Sequence, residues 1–511
     1  MRLSRMCRGL AAVALLASAG LVLAADLDST LQAPVAPIPD NVFSRLYHAY
    51  ADEWGKPTPV ADPNAPPSRR GTDQIAPQPE DSPPYPFTEW PYGGSTTIAA
   101  ALPNSVDAPL QSALLPTTSA PGKWLEDQHI QIYGWVAAGG NLSTAHQYGG
   151  NNPAAYAYSP NLLELDQAVV YVERVPDTVQ QSHWDWGFRV SGIYGENYRY
   201  TTALGVFSNQ FVMHNHFEGY DMPMVYGELY LPQFAEALVL RMGRYISLPD
   251  IEAQLAPNNY MYSHSITYVY DNYTNTGLMA TLKITKNWMV QAGISAGTET
   301  VPWNAKIVSL PNGYVGQRDP GTQPTYTVCG QWQSDSGWDN VYLCANDFNK
   351  GNWGYNNLQW FGGTWFHKFN DQWHFGIESY YEYQKGVSSV AAGYGGTAFQ
   401  YMVNPPPLAN CPAGETECTA MAYSALGYLN YKVGPMDNIT GRLEFYNDER
   451  GQRTGYATRY FNQAIGYQHW LSPSVELRPE MAWYHSLDAA AFENGNKHEV
   501  AIASMDVTWH F

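Results

Sequence analysis

The sequence predicts an all-β protein, a transmembrane antiparallel up-and-down β-barrel of about 14 to 16 strands with a proline-rich N-terminal extension. Three observations predict it. Apolar and polar residues alternate with period two in run after run beyond Gln128, the links between those runs divide into a short set and a long set, and the chain closes on an aromatic strand ending in Phe511.

The alternation is cleanest from Trp184 to Tyr194, where Trp184, Trp186, Phe188, Val190 and Tyr194 share one face and Asp185, Arg189 and Ser191 the other. Successive side chains of a strand point to opposite faces, so one face suits lipid and the other water. Leu238, Leu240 and Met242 stand against Arg241 in the same way, and Leu278, Ala280, Leu282 and Ile284 against Thr281, Lys283 and Thr285. Further on, Phe375, Ile377, Tyr381 and Tyr383 oppose His374, Glu378 and Glu382, while Ile439, Leu443 and Phe445 oppose Thr440, Arg442 and Glu444. Half-apolar strands reconcile 38 Tyr, 17 Trp and 44 Gly in 511 residues with a negative mean hydropathy. Beyond the N-terminal stretch no run of about 18 apolar residues remains, which excludes a helical span. Composition alone fits a soluble β-rich secreted protein such as a lectin or propeller equally well.

The links separate those alternatives. Outer-membrane barrels place short turns on one side and long loops on the other. The tight links Val175 to Ser182, Pro232 to Glu236, Lys286-Asn287, Asn370-Asp371, Val433 to Asp437 and Ser472-Pro473 fall on one side. Gly140 to Pro160, Glu196 to Asp221, Ile246 to Thr276, Thr300 to Tyr355 and Lys385 to Thr419 fall on the other. At the C-terminus Met505, Val507, Trp509 and Phe511 share a face, which resembles the signal read by the outer-membrane barrel assembly machinery. That machinery and outer-membrane lipid are the expected partners.

Residues 1–24 read as a signal peptide: Arg2, Arg5 and Arg8 precede an apolar run from Gly9 to Leu23 that ends on Ala24 and Ala25. The alternative is an uncleaved anchor. Removing it leaves 24 basic against 46 acidic residues, a net −22, so nucleic acid is not an expected partner. From Asp26 to Gly122 lie 18 of the 36 prolines. Proline cannot donate to a sheet ladder, so residues 25–125 are expected as a periplasmic arm or partial plug and 126–511 as the barrel. Within the arm, Phe43, Leu46, Tyr47, Tyr50 and Trp54 recur at helical spacing and predict a short helix over Val42 to Trp54. Pro83 to Gly94, with Phe87, Trp90, Pro91 and Tyr92, is the segment that would fold into the lumen or tether the protein in the periplasm. Cys329, Cys344, Cys411 and Cys418 are an even set in an exported chain, and two disulfides are expected, one within each of two outer loops.

The segment Leu238 to Tyr245 (LVLRMGRY), with Ala256 to Ser265 (APNNYMYSHS), Thr274 to Gly277, Tyr133-Gly134-Trp135 and Gly187-Phe188-Arg189, resembles the OmpL-like family of bacterial outer-membrane β-barrel porins. The resemblance covers about Gln128 to Phe511. It implies a barrel and a pore, carries no catalytic residue, and does not explain the proline-rich arm. Porin barrels often form trimers, so a homotrimer is one expectation.

Function is then expected from the lumen. Arg189, Arg241, Lys283, Glu378, Glu382, Arg442, Glu444, Glu476, Arg478, Glu480 and Asp506 fall on the polar parity of their strands. They either sort small polar solutes by charge and size or pair with one another and neutralise the interior. Trp184, Trp288, Trp373, Tyr383, Trp470, Trp483 and Trp509 are expected to face outward as interfacial girdles. His214-Asn215-His216 with Glu218 is an exposed loop pair rather than a metal site. Asn141, Asn272 and Asn438 head sequons without meaning in a bacterium. No nucleophile elbow, zinc-protease motif or phosphate loop occurs. The expected function is passive passage of small hydrophilic solutes or ions, without catalysis, cofactor or metal. The alternative is a non-conducting scaffold barrel that houses a partner or binds surfaces through its outer loops.

Overall fold

A computed structural model describes residues 41–57, 109–154, 156–178, 180–212, 214, 216–246, 250–253, 256–303, 323–351, 357–389 and 408–511. The expected signal peptide and the Pro83 to Gly94 segment lie outside the described residues. Among the described residues three helices precede the barrel: α1 Val42–Ala51, α2 Pro109–Leu114 and α3 Ala120–Asp127. The Ser119 hydroxyl caps α3 by accepting from Gly122 N at 3.1 Å, satisfying a donor that has no partner within the helix.

The first half of the sheet comprises β1 Gln131–Ser143, β2 Leu163–Arg174, β3 Asp185–Gly195, the short β4 Gly219–Asp221, β5 Val225–Leu231, β6 Ala237–Ile246, β7 Thr274–Thr285, β8 Trp288–Thr298 and β9 Thr325–Gln333. The second half comprises β10 Asp339–Phe348, β11 Gln359–Lys368, β12 Trp373–Ser389, the two-residue β13 Leu408–Ala409, β14 Glu417–Gly434, β15 Asp437–Asp448, β16 Thr458–Ser472, β17 Val475–Ser486 and β18 Glu499–His510. Sixteen of these are long antiparallel staves. The short β4 extends the edge of β5 along β3, and β13 lies parallel to the end of β12. β1 pairs with β18 in a register that sets Val136 against Trp509, which closes the sheet. Closure leaves no unpaired edge, the condition for a sheet to stand in hydrocarbon.

The period-two pattern places the side chains. On β15, Ile439 and Leu443 are exposed on the outer face while Thr440, Arg442 and Glu444 are buried on the inner one. On β18, Met505, Val507 and Trp509 point outward, and Phe511 exchanges backbone hydrogen bonds with Gly134 at 2.9 Å each way.

Two expectations are corrected. Thr300 to Tyr355 is not one outer loop, because it contains the hairpin β9–β10, whose tight turn at residues 334–338 joins the short-link side. Cys329 and Cys344 therefore face each other across paired strands, both buried, and their disulfide staples the barrel wall from inside. The Cys411–Cys418 disulfide does sit at the long-link rim, with Cys418 the second residue of β14. Trp470 is the second correction. It shares parity with Tyr460, Asn462 and Gln468, is 4% exposed, and lies inside against the His510 ring at 5.8 Å. An even position on β16 faces inward whatever its residue type, and proximity to a short turn does not change that.

Outward orientation has a measurable cost when violated. Leu443 is 57% exposed at the middle of β15. Leu443→Arg is expected to destabilise the barrel by roughly 2–4 kcal/mol in urea unfolding from phosphatidylcholine vesicles. An unchanged midpoint would contradict the assigned lipid face.

Candidate functional site

The link between β6 and β7 does not leave the barrel. Its described residues, 250–253 and 256–273, are almost all buried, and they are held from strands on the far side of the interior. Local chemistry shapes the segment first. The Asn259 side chain closes a ring with Ala253, accepting from its N–H at 2.9 Å and donating to its carbonyl at 2.7 Å. Ser265 caps a single helical turn, Ile266–Val269, by accepting from Tyr268 N at 3.0 Å. Burial pushes His264 down to about 3, so its ring is neutral, and Nε2 lies 2.7 Å from the Ala253 carbonyl.

Inward carboxylates of the wall then take up the backbone donors of this segment. Glu378 of β12 accepts from Ile251 N at 2.9 Å, and Glu480 of β17 accepts from Ser263 N at 2.9 Å. Glu444 of β15 accepts from Ile266 N at 3.1 Å, Thr267 N at 2.5 Å and the Thr267 hydroxyl at 2.7 Å. Arginines take up the carbonyls. Arg442 donates to Ser263 O at 2.7 Å, and Arg478 donates to Asn259 O at 3.0 Å. From β2, just beyond the β1–β18 seam, Gln167 accepts from Ala256 N at 3.2 Å and Asp166 from the Tyr262 hydroxyl at 3.0 Å. A backbone segment buried in a barrel needs partners for its polar groups, and here the wall and the segment's own side chains share that task.

The eleven charges singled out in the sequence divide by position. Arg442, Glu444, Arg478, Glu480 and Glu378 grip the infolded segment directly. Glu382 pairs with Arg453 at 2.9 Å, and Arg453 in turn donates to the Tyr270 carbonyl. Asp506 braces Arg478, accepting from its Nε at 3.0 Å, and Glu476 accepts from Gln468 at 2.7 Å. Arg189 and Arg241 pair with neighbouring strands, through Glu173 at 2.7 Å and Glu228 at 2.8 Å, while Lys283 is half-buried on β7. Sequence reasoning did not find the loop partners Asp250, Glu252 and Asp271. Glu252 lies 3.5 Å from Arg442 and accepts from Ser265 N at 3.0 Å. A signal was present, because the stretch Ala256 to Ser265 that carries the family resemblance is the stretch that crosses the interior.

Asp250, Asp271 and Glu378 bring one carboxylate oxygen each within 4.8 Å of one another, the group among the described residues that could offer ligands to a cation. Burial pushes Asp250 up to about 7, and it pushes Asp271 well above the usual carboxylate range, with Asp250 adding to it. The two loop acids therefore bind protons well above the usual carboxylate range. At the rim, Glu493 accepts from His146 N and Gln147 N at 2.7 and 3.1 Å and ties two outer loops together. The rings of His214 and His216 lie 5.5 Å apart, and both residues are exposed.

A closed sixteen-strand barrel with an apolar outer face, a polar inner face and an infolded loop defines a porin-type barrel of the bacterial outer membrane. The chain belongs to the family described as "Putative beta-barrel porin-2, OmpL-like", whose model matches residues 129–511. Porins are channels rather than enzymes. Among solved structures it is similar to the outer membrane channel DcaP of Acinetobacter baumannii, at 9% identity over 75% of this chain and 97% of that one, with a TM-score of 0.46. It is also similar to an anion-selective porin from Comamonas acidovorans (9% identity, 75% and 99% coverage, TM-score 0.43) and to OprB of Pseudomonas putida (10% identity, 77% and 97%, TM-score 0.40). No curated protein matches the sequence.

The raised loop acids give the segment a pH dependence. Glu252 is also pushed up to about 7 by burial, although Arg442 opposes the shift. An acid whose folded value is raised stabilises fully below its unfolded value, near 4, and that contribution is lost as pH rises through the folded value. Hydrogen exchange of residues 250–273, corrected for intrinsic rates, is expected to be slower at pH 5 than at pH 8. Equal protection at both would contradict the assignment.

Proposed function

We propose that this barrel passes small hydrophilic solutes and ions passively across the outer membrane, with a preference for cations, and that it catalyses no reaction. The observation that carries this reading is the interior itself: a loop folded inward and fixed to the wall, lined by more acid than base. Among the described residues nineteen acids are buried against seven arginines. An acidic interior of low dielectric attracts counter-ions and repels anions, while the Arg–carboxylate pairs moderate the field.

Residues 25–125 serve in this reading as a periplasmic segment, supported by the contacts of α1 with the short-turn end, and the outward face of Met505, Val507, Trp509 and Phe511 serves as the assembly signal. The alternative of a non-conducting scaffold is favoured by one fact, the near-complete burial of the inward side chains on β12, β15 and β17.

Refolded protein in planar bilayers separates the two. Discrete current steps, with a reversal potential of cation-selective sign in a KCl gradient, are expected. A well-folded barrel that gives no steps contradicts the channel. Glu444→Ala removes an acceptor of three loop bonds, each worth about 1.5–3 kcal/mol as a bond to a charged group. It is expected to raise single-channel conductance and current noise without changing barrel migration on unheated gels.

A further inference from the structure

Helix α1 carries a surface that the channel does not use. Phe43, Tyr47, Tyr50 and Trp54 recur at three- and four-residue intervals, so they form one stripe along the helix and the turn that continues it, with Leu46 and Ala51 on its flanks. The stripe faces out: Phe43 is 83%, Tyr47 68% and Trp54 57% exposed. Arg45, His48 and Asp52 occupy the opposite face. Leu46, Tyr47, Tyr50, Ala51 and Trp54 line a shallow open groove.

The helix is fixed at a definite height on the barrel. Gly55 N donates to Leu471 O at 2.9 Å, and the Ser474 hydroxyl donates to Glu53 at 3.0 Å, both at the tight turn between β16 and β17. On its polar side Arg45 donates to the carbonyl of Ala113 in α2 at 2.8 Å. The Tyr50 ring lies 5.6 Å from Trp509, which points outward from β18 at the same end. The aromatic stripe is therefore continuous with the outward belt of the barrel where that belt meets the periplasmic boundary.

We propose that α1 is an interfacial anchor whose aromatic face lies in the phospholipid headgroup layer of the periplasmic leaflet. Tyrosine and tryptophan rings have an apolar body and a polar edge, which suits that layer, and a short helix with one aromatic face and one charged face lies in its plane. Contact with Trp509 sets the stripe where lipid already covers the barrel. The anchor holds residues 42–54 at the membrane surface, beside the seam of β1 and β18.

The test uses protein exported to and recovered from the outer membrane, carrying Cys7→Ser in the expected signal peptide so that the only cysteines besides the label are the four in disulfides. Single nitroxide labels are placed through Phe43→Cys, Tyr47→Cys, Asp52→Cys and Leu443→Cys, and the protein is reconstituted in phosphatidylethanolamine–phosphatidylglycerol vesicles. Folding is checked by migration on unheated gels. Collision rates are read with oxygen, which partitions into lipid, and with a water-soluble nickel chelate. Labels at 43 and 47 are expected to favour oxygen as the belt label at 443 does, with an oxygen-to-nickel ratio several-fold above that at 52. Two results overturn the proposal: labels at 43 and 47 as open to nickel as the one at 52, which means a water-facing stripe, or labels shielded from both reagents, which means a protein partner or a second copy covers it. Positions 43 and 47 are independent, so failure of one variant to fold leaves the other to decide.

Discussion

A stretch of backbone laid across the inside of a barrel has lost bulk water and gained no ladder of its own. Its donors and acceptors must be met by side chains, and charged side chains meet them best, because a bond to a charged group is shorter and about twice as strong as a neutral one. Glu378, Glu444 and Glu480 do this for the donors of residues 251–267, and Arg442 and Arg478 for its carbonyls. The interior of this porin is organised around that exchange.

The arrangement also explains why the interior charges come as mixed signs. A buried carboxylate that accepts backbone bonds still leaves net charge in a low-dielectric space, and a nearby guanidinium compensates it. Arg442 stands 3.5 Å from Glu252 and 3.8 Å from Glu480, so a single arginine serves loop and wall together. At Asp250 and Asp271, burial instead pushes both carboxyls above the usual carboxylate range. The two readings of the polar-parity charges in the sequence, solute field or internal pairing, are thus not exclusive. Under the proposed function, pairing fixes the shape of the interior and the residual acid excess sets its field.

How much of this was legible in the sequence follows from the range of each signal. The wall was readable because period two is local: Trp186, Phe188 and Val190 against Asp185, Arg189 and Ser191 need no partner to be recognised. The β9–β10 hairpin was not, because Cys329 and Cys344 occupy inward positions where a polar residue would have marked the strand, and their pairing suggested a loop. At Trp470 residue type and parity point opposite ways, and parity decides the face. The infolding of residues 250–273 could not be read at all from periodicity. Its bonds join residues 127 positions apart at Ile251 and Glu378 and 217 apart at Ser263 and Glu480, and a long polar link looks the same in sequence whether it turns outward or inward.

The measurement that bears most directly on this account is the single-channel conductance of a barrel in which residues 247–273 are replaced by a short glycine–serine turn joining β6 to β7. If the infolded segment governs the interior, the shortened barrel folds, migrates as before on unheated gels and conducts in distinctly larger steps with weaker ion preference. Steps of unchanged size and selectivity from a folded barrel would contradict the claim that this segment and its carboxylate ties define the route.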